Sequence, residues 1–468
     1  MSHLTGVRSA TVLSMAVLMA LLFGACTSTA EEGASTDEAA TSSSAPVASV
    51  SPVDDTAATS TTSSLAPLTA SARGVTEDTI HVGAVGIDFD SLRDQGLVDI
   101  NRGDQELVWQ IVADALNDRG GILGREVQVH YRDYDVIQPA SAEAVCIELT
   151  QDVGVFAMLV GFDGPTASVD DCVANQNDTF LISNVASNEQ MIAARAPWIQ
   201  VGFPGVDRMD RGTIDLADEQ GLFDGQVVAV HALASAAGDR VPAVVAQLEE
   251  LGVDVAFDSV NDAPNGDAAA GAANWVVIAE RLREADVTTL VIVGPAAFEY
   301  GQLLDNGLGD LRVISLDNAL GGIGGFDDHL PSDYDGSVGP MALLPEDTFA
   351  IPAFGECVAA FESATGNEVL DPGEVPNGEP DWYTALATAC NRIQVLEELA
   401  TAAGPDLTND AIRAVLDSNP DLDVPQVPFI SFNADKYDGN DGMRLGIFDS
   451  TKGLEGRLEP LSELKPID

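Results

Sequence analysis

The chain has 468 residues, and its 21 basic and 75 acidic side chains give a formal net charge of −54. This charge excludes nucleic acid and anionic lipid headgroups as partners, because surfaces of like charge repel. About 395 residues follow the N-terminal segments, which is enough for two domains with separate cores.

A secretory signal is predicted over residues 1–25. Arg8 precedes an apolar run from Val12 to Phe23, shorter than the roughly 20 residues that span a bilayer. The run ends in Leu22-Phe23-Gly24-Ala25-Cys26, which is similar to a lipobox, so we expect cleavage before Cys26 and acylation of its thiol. The lipid would anchor the chain to the outer face of the cytoplasmic membrane. The alternative is cleavage nearby and free secretion.

The segment 26–73 is predicted to be a disordered tether. From Thr27 to Ala72 there is no aromatic residue, Lys or Arg, and Ser, Thr, Ala, Glu, Asp and Pro predominate. Such a segment cannot bury enough apolar surface to fold. No later apolar run is long enough for a transmembrane helix, which weakens the case for a receptor that signals through the membrane.

The folded part opens with a βαβ unit. A strand is predicted from Ile80 to Val85 and an amphipathic helix from Asp104 to Arg119, ended by Gly120 and Gly121. A second strand begins at Val127. The alternation continues with helices at 140–151, 166–175, 241–251, 268–285, 353–365, 381–403 and 409–417, and with strands at 155–160, 180–183, 226–231, 253–259, 289–293, 312–316 and 337–343. Alternating strands and helices predict an α/β fold with parallel sheets covered on both faces.

Four cysteines remain after Cys26, and an oxidising compartment favours disulfides between them. Cys146 and Cys172 lie on successive predicted helices, as do Cys357 and Cys390, so we pair them in that order. A metal site is the competing interpretation. It lacks a nearby histidine and any C-x-x-C spacing, so no metal is predicted there.

Three sequence pieces carry a resemblance: Gly74-Val75-Thr76, the Gly-Gly-Ile-x-Gly-Arg turn at 120–125, and the run from Asp371-Pro372 to Asp381-Trp382. From Gly74 onward the chain resembles the type 1 periplasmic solute-binding proteins, in particular the branched-chain amino-acid-binding family that serves ABC importers. The resemblance implies two doubly wound lobes, 74–203 plus 345–426 and 204–344 plus 427–468, joined by three crossings. It places the first crossing at Gly202–Gly205, the third near Pro425–Phe432, and the ligand cleft at the carboxyl ends of the strands.

Candidate ligand-binding residues are those that follow strands at this edge. In the first lobe they are Asp88, Phe89, Phe162, Asp163, Gly164, Thr166, Asn184 and Ser187. In the second lobe Ala296 marks a roomier wall, and the resemblance makes Asp317 the partner of a ligand ammonium, with Asn318 beside it. Arg102 precedes the first long helix, where it would favour an anionic or polar ligand tail, or would be a surface arginine.

An enzyme is not expected, because the chain has no G-x-S-x-G, H-E-x-x-H or P-loop sequence. His81 and His130 are interpreted as structural. Asp435, Asp438 and Asp441 suggest a solvated turn more than a calcium site, since their spacing is not that of an EF-hand. We therefore expect a monomeric, cofactor-free lipoprotein that binds a small polar organic solute, such as an amino acid or a related amide or carboxylate, for ABC permease subunits. The alternative is a binding lipoprotein that only signals to a partner receptor.

Overall fold

The computed structural model describes residues 67–467 except 96, 97, 99, 264–267, 295, 296, 318–328, 377 and 455. The predictions of a signal, of lipidation at Cys26 and of a tether up to residue 66 lie outside the described residues. Among those described, no helix is both long and apolar enough to cross a membrane.

The first lobe is built on a five-stranded parallel sheet with the order β2-β1-β3-β4-β5. Its strands are β1 (Thr79–Ile87), β2 (Glu126–Tyr134), β3 (Ala157–Met158), β4 (Phe180–Ser183) and β5 (Trp198–Gln200). Its helices are α1 (Phe89–Asp94), α2 (Gln105–Asp118), α3 (Pro139–Ile147) and α4 (Asn188–Ala193). The opening βαβ unit thus forms as the sequence predicts.

The edge strand β2 is protected by side chains of α2. Asn117 donates to the Val127 carbonyl at 3.0 Å and accepts from the Val127 N–H at 2.8 Å, and Gln110 donates to the Val129 carbonyl at 3.0 Å. These side chains occupy backbone groups that an open edge would offer to another strand.

Two predicted helices of the first lobe are irregular. α3 continues as a π-helical segment, Glu148–Val153, and the predicted helix at 166–175 is a 3₁₀ turn, Gly164–Val169, followed by a π-helical turn, Cys172–Gln176. The Cys146–Cys172 disulfide joins these two regions, and both predicted pairings are confirmed, since Cys357 is bonded to Cys390. The bond therefore closes a loop that contains β3 and the polar segment after it.

The second lobe contains an eight-stranded sheet with the order β12-β11-β10-β9-β8-β6-β7, with β13 paired to β11. Its strands are β6 (Val228–Leu233), β7 (Val255–Asn261), β8 (Thr289–Val293), β9 (Arg312–Ser315), β10 (Val338–Met341), β11 (Gly442–Asp449), β12 (Arg457–Pro460) and β13 (Lys465–Pro466). Its helices are α5 (Val206–Glu219), α6 (Ala234–Ala237), α7 (Val241–Glu250), α8 (Ala268–Glu284) and α9 (Ala297–Asp305). Alternate residues of β8 enter two cores: Leu290 and Ile292 on one face, Val291 and Val293 on the other.

The C-terminal strands depart from the predicted parallel arrangement. β11 is antiparallel to β10, β12 and β13, so the second sheet is mixed, whereas the alternating pattern predicted parallel strands throughout. The last three strands follow one another with no helix between them. The alternation of strands and helices that predicted the parallel strands is therefore absent here. Helix α5 was also not predicted.

The remaining helices α10 (Pro345–Phe349), α11 (Pro352–Thr365), α12 (Trp382–Ala403) and α13 (Asn409–Asp417) return the chain to the first lobe. Residues of α11, α12 and α13 belong to the first-lobe core. So do Val427, Phe432 and Tyr437, whereas β11 begins only at Gly442. The third crossing therefore lies after Tyr437, later than the predicted position near Pro425–Phe432.

The α/β fold class is confirmed: two doubly wound lobes are joined by three crossing segments. The first runs from β5 to α5, the second from β10 to α11, and the third from Tyr437 to β11. Since β5 and β10 both end at these segments, the hinge lies at the carboxyl edge of each sheet.

Candidate functional site

The loops at the carboxyl edge of the first sheet hold a chain of three polar side chains. Asp163 follows β3, Asn184 follows β4, and Arg392 projects from α12 beneath them. Asn184 Nδ2 lies 3.3 Å from both carboxylate oxygens of Asp163, and Arg392 Nη2 donates to Asn184 Oδ1 at 2.9 Å. The single amide of Asn184 thus connects a carboxylate at the edge of the sheet to a guanidinium in the core.

The two charged ends differ in their exposure. Arg392 is 4% exposed, and its only other side-chain bond in the described part of the chain is from Nη1 to Asn391 Oδ1 at 3.0 Å. Its Nε has no hydrogen-bond partner there. Asp163 is half-buried, so of the two charged residues it lies nearer to solvent.

Burial sets the pKa values of these groups. It lowers the pKa of Arg392 to about 10, against the opposing charge of Asp163. It raises the pKa of Asp163, against the hydrogen bond from Asn184 and the charge of Arg392. Burial also raises the pKa of the neighbouring Asp170 well above its ordinary value, despite a 2.8 Å hydrogen bond from the Phe162 N–H.

Other predicted residues of these loops are used inside the lobe. Thr166 is buried and its hydroxyl donates to the Asp163 carbonyl at 2.7 Å, one turn into the segment that Gly164 opens. Phe162 is buried and packs edge-on against Tyr134, with ring centroids 5.0 Å apart. Ser187 caps α4 by accepting from the Gln190 N–H at 3.3 Å.

The residues around the first helix are likewise engaged with one another. Asp88 caps α1 by accepting from the Ser91 N–H at 2.9 Å. The guanidinium of Arg102 lies 5.7 Å from the ring centroid of Phe89, forms an ion pair with Asp381 and donates to Thr384 Oγ1 at 2.9 Å. Arg102 therefore connects the loop before α2 to the start of α12, and its charge is compensated by Asp381.

In the second lobe, Asp317 is partly exposed just beyond β9, as expected for a strand-end residue. It is one of several charges around Asp210, whose pKa is raised to about 6 by burial, against Arg240, and further by Asp207 and Asp317. Arg240 binds both oxygens of Asp210, at 2.8 and 2.7 Å. Ala296 and Asn318 lie outside the described residues.

The hinge holds a separate buried ion network. Arg208 of α5 binds Asp438 and Asp441 at 2.9 Å each, and Lys436 lies 2.8 Å from Asp441. The Gly205 N–H also donates to Asp438 at 2.8 Å, which ties the first crossing to the third.

This network corrects the prediction of a solvated turn. Asp438 is fully buried and Asp441 is largely so, and protein cations hold them in place. Of the three acids, only Asp435 is exposed. No group of three or more potential metal-ligating side chains is present among the described residues.

A serine, a histidine and a glutamate meet in the second-lobe core. His231 contacts Ser259 Oγ at 2.8 Å and Glu299 at 2.5 Å, and Trp275 donates to the same Glu299 oxygen at 2.6 Å. His231 and Glu299 are fully buried and Ser259 is 8% exposed, so a substrate does not reach them. His81 and His130, interpreted as structural, contact each other across β1 and β2 at 3.1 Å.

Sequence reasoning missed Arg392, Arg208 and Asp210. Arg392 is the only charged residue of α12 between Trp382 and Leu396, and this was the one available signal. Arg208 and Asp210 belong to α5, and recognising that helix would have shown both near its start.

Comparison with known proteins gives structural likeness only. No family model and no curated protein matches the chain. Similar solved structures include a fatty acid ABC transporter substrate-binding protein from Thermomonospora curvata, with 18% identity, TM-score 0.57, and coverage of 84% of this chain and 94% of that one. An ABC transporter substrate-binding protein from Desulfitobacterium hafniense in complex with Leu has 15% identity, TM-score 0.55, and coverage of 82% and 100%. A solute-binding protein from R. palustris in complex with 4-hydroxybenzoate has 14% identity, TM-score 0.57, and coverage of 83% and 98%.

Proposed function

We propose that this chain is the extracytoplasmic substrate-binding lipoprotein of an ABC importer. It captures a small polar organic solute, an amino acid or a related amide or carboxylate, in the cleft between its lobes. The observation that carries the proposal is the architecture: two doubly wound sheets are joined by three segments at their carboxyl edges. In such folds, ligands bind outside the carboxyl ends of the strands.

The similar structures support this role through their names. All three are described as transporter or solute-binding proteins, and the three ligands named are a fatty acid, Leu and 4-hydroxybenzoate. These three ligands have different carbon skeletons. The likeness in fold therefore supports the capture of a solute but does not select one compound. Under this proposal the partners are ABC permease subunits, and the protein acts as a monomer.

Capture would work by closure of the two lobes. A solute that contacts both lobes only in the closed form binds that form more tightly and shifts the population toward it. The three crossings, of which the first and third are tied together by Arg208, Gly205 and Asp438, restrict this motion to a hinge. We assign Asp163 and Asn184 to the first wall and Asp317 to the second. Ala296 and Asn318 are assigned to the second wall from the sequence alone, since they lie outside the described residues.

Lipidation of Cys26 would keep the protein beside its permease. The segment between Cys26 and residue 67 lies outside the described residues, and its composition is what supports a tether between the lipid and the lobes.

A thermal-shift screen of the purified full-length protein against amino acids, amides, ureas and small carboxylates tests the proposal. A solute at 100 times its Kd stabilises the folded protein by about 2.7 kcal/mol, which is a clear rise in Tm. Binding of any of these solutes supports the proposal. Turnover of a bound solute would contradict it.

A further inference from the structure

Many of the donors that the first-lobe loops would offer to an anion are already engaged within the protein. The N–H groups of Phe162, Asp163 and Thr166 donate to Asp170, Tyr134 and Asp163 respectively. After β4, the N–H groups of Ala186 and Ser187 donate to Gln200 and Gln190. These bonds leave five backbone amides of the two loops engaged within the protein.

The donor side chains are engaged as well. The hydroxyl of Thr166 is buried, the amide of Asn184 faces Asp163, and Arg102 is paired with Asp381. A ligand carboxylate that approached these donors would have to displace one of their bonds. Asp163, in contrast, is a half-buried residue, and its two carboxylate oxygens share a single amide nitrogen at 3.3 Å. Each carboxylate oxygen has two lone pairs, so acceptor capacity remains.

We propose that Asp163 receives a nitrogen-bearing group of the solute, an ammonium, guanidinium, amidine or amide, and that Arg392 is the positioning residue which holds Asp163 for this contact through Asn184. The inference rests on the proposed function and narrows its solute class. It excludes solutes whose only polar group is a carboxylate.

The role of Arg392 follows from its geometry. It is buried, donates to Asn184 Oδ1 at 2.9 Å, and thereby turns the Asn184 NH₂ toward Asp163. Burial raises the pKa of Asp163, and the charge of Arg392 opposes this by favouring the ionised form. Arg392 therefore acts on the solute through Asp163, without touching it.

Matched pairs of compounds test the solute class by isothermal titration calorimetry with the full-length protein. The pairs keep the skeleton and change the polar group: isopentylamine and 4-methylpentanoate, octylamine and octanoate, 4-hydroxybenzamidine and 4-hydroxybenzoate, with 4-hydroxybenzamide as the uncharged member. We expect the nitrogen-bearing member of a binding pair to bind at least tenfold more tightly. Tighter binding of the carboxylates would overturn this inference and leave the proposed function standing, whereas silence across the pairs would count against both.

Substitution of Asp163 tests its proposed contact with the solute. Asp163→Asn should weaken binding of the nitrogen compound at least tenfold. Asp171→Asn is the matched control, because Asp171 is an exposed aspartate of the same lobe whose carboxylate accepts from Asn175 at 2.7 Å and Gln176 at 3.2 Å. Unchanged binding in Asp163→Asn would refute the contact.

The pH profile separates positioning from simple structural support. Binding requires ionised Asp163, whose surroundings include Asn184, Arg392, Asp170 and Tyr134. Without the Arg392 charge the pKa of Asp163 rises. On acidification, the variant Arg392→Gln should therefore lose binding at a higher pH than the wild type does. A uniform loss at every pH would contradict the positioning role. Asn184→Ala retains the buried guanidinium and gives a second test if Arg392→Gln fails to fold.

Discussion

The hinge and the first-lobe loops each contain a buried arginine, and the two arginines have opposite surroundings. Burial alone would lower the pKa of Arg208, but Asp438 and Asp441, each 2.9 Å from it, together raise it. Arg392 has no carboxylate of the described chain in direct contact, and burial lowers its pKa to about 10. In the hinge each carboxylate in contact with Arg208 is paired with a protein cation, whereas the loop network ends at the half-buried Asp163, whose carboxylate contacts only the Asn184 amide.

This difference separates a structural network from a binding one. A buried ion pair with both partners in contact mainly fixes the position of its two segments, and removal of one partner is costly. A network that ends in an exposed acceptor retains capacity for a further partner. The comparison therefore predicts that changes at the hinge reduce stability, while changes at the loops reduce binding.

The largest stability effect is expected for Asp438→Asn. The change removes one of the two carboxylates that compensate Arg208, and the one that is fully buried, so the free energy of unfolding should fall by about 3–5 kcal/mol. Urea unfolding followed by circular dichroism measures it. Asp435→Asn, in the same turn but exposed, is the control and should change stability by less than about 0.5 kcal/mol. Equal effects in the two variants would contradict the distinction.

The second-largest effect on stability is expected for removal of the Cys146–Cys172 disulfide. Its cysteines are 26 residues apart, so the double variant Cys146→Ala/Cys172→Ala should lose about 3.5 kcal/mol on the chain-entropy account. Because Asp163 lies within the closed loop, solute affinity should fall too. The matched variant Cys357→Ala/Cys390→Ala should lose similar stability with affinity unchanged. Equal losses of affinity would show that the bond does not order the binding loop.

Asp210 provides a pH-dependent test in the second lobe. Its pKa in the folded protein, about 6, exceeds the ordinary aspartate pKa of 3.8. The stabilising contribution of Asp210 is therefore full below about pH 4 and is lost as the pH rises through 6. Between these two pH values, the free energy of unfolding of the wild type should fall by up to about 3 kcal/mol more than that of Asp210→Asn. Urea unfolding of both proteins at pH 4, 5, 6 and 7 measures the difference, and parallel pH curves would refute it.

The smallest effect is expected for Arg102→Ala. The Arg102 side chain is 24% exposed, so loss of its pair with Asp381 should reduce stability by about 1 kcal/mol. Solute preference should stay unchanged, because Arg102 is already paired within the lobe. A change in the ranking of the paired compounds would restore the sequence-based hypothesis that Arg102 contacts the ligand tail.

Much of the fold was predictable because apolar periodicity reports regular elements. The opening unit, with β1, α2 and β2, and the regular strand β8 were found this way. The irregular turns after β3 were predicted as one regular helix, because the apolar residues of π-helical and 3₁₀ segments are spaced much like those of an α-helix. The third crossing was misplaced because Phe432 and Tyr437 are buried by contacts distant in sequence.

The site was less predictable than the fold. Strand-end position identified Asp163 and Asn184, because parallel strands bring their carboxyl ends to one edge. It did not reveal that Thr166, Ser187 and Arg102 would be engaged internally. Arg392 lies more than 200 residues from Asn184 along the chain, so only the folded structure shows that they meet.

Small-angle X-ray scattering of the full-length protein tests the central claim, that a solute is captured between the lobes, most directly. The titrant is the nitrogen-bearing compound that binds most tightly among the matched pairs. The account predicts that saturation reduces the radius of gyration of the wild type, while the same concentration leaves Asp163→Asn unchanged. A radius of gyration that stays constant in the wild type at saturation would contradict closure around the solute.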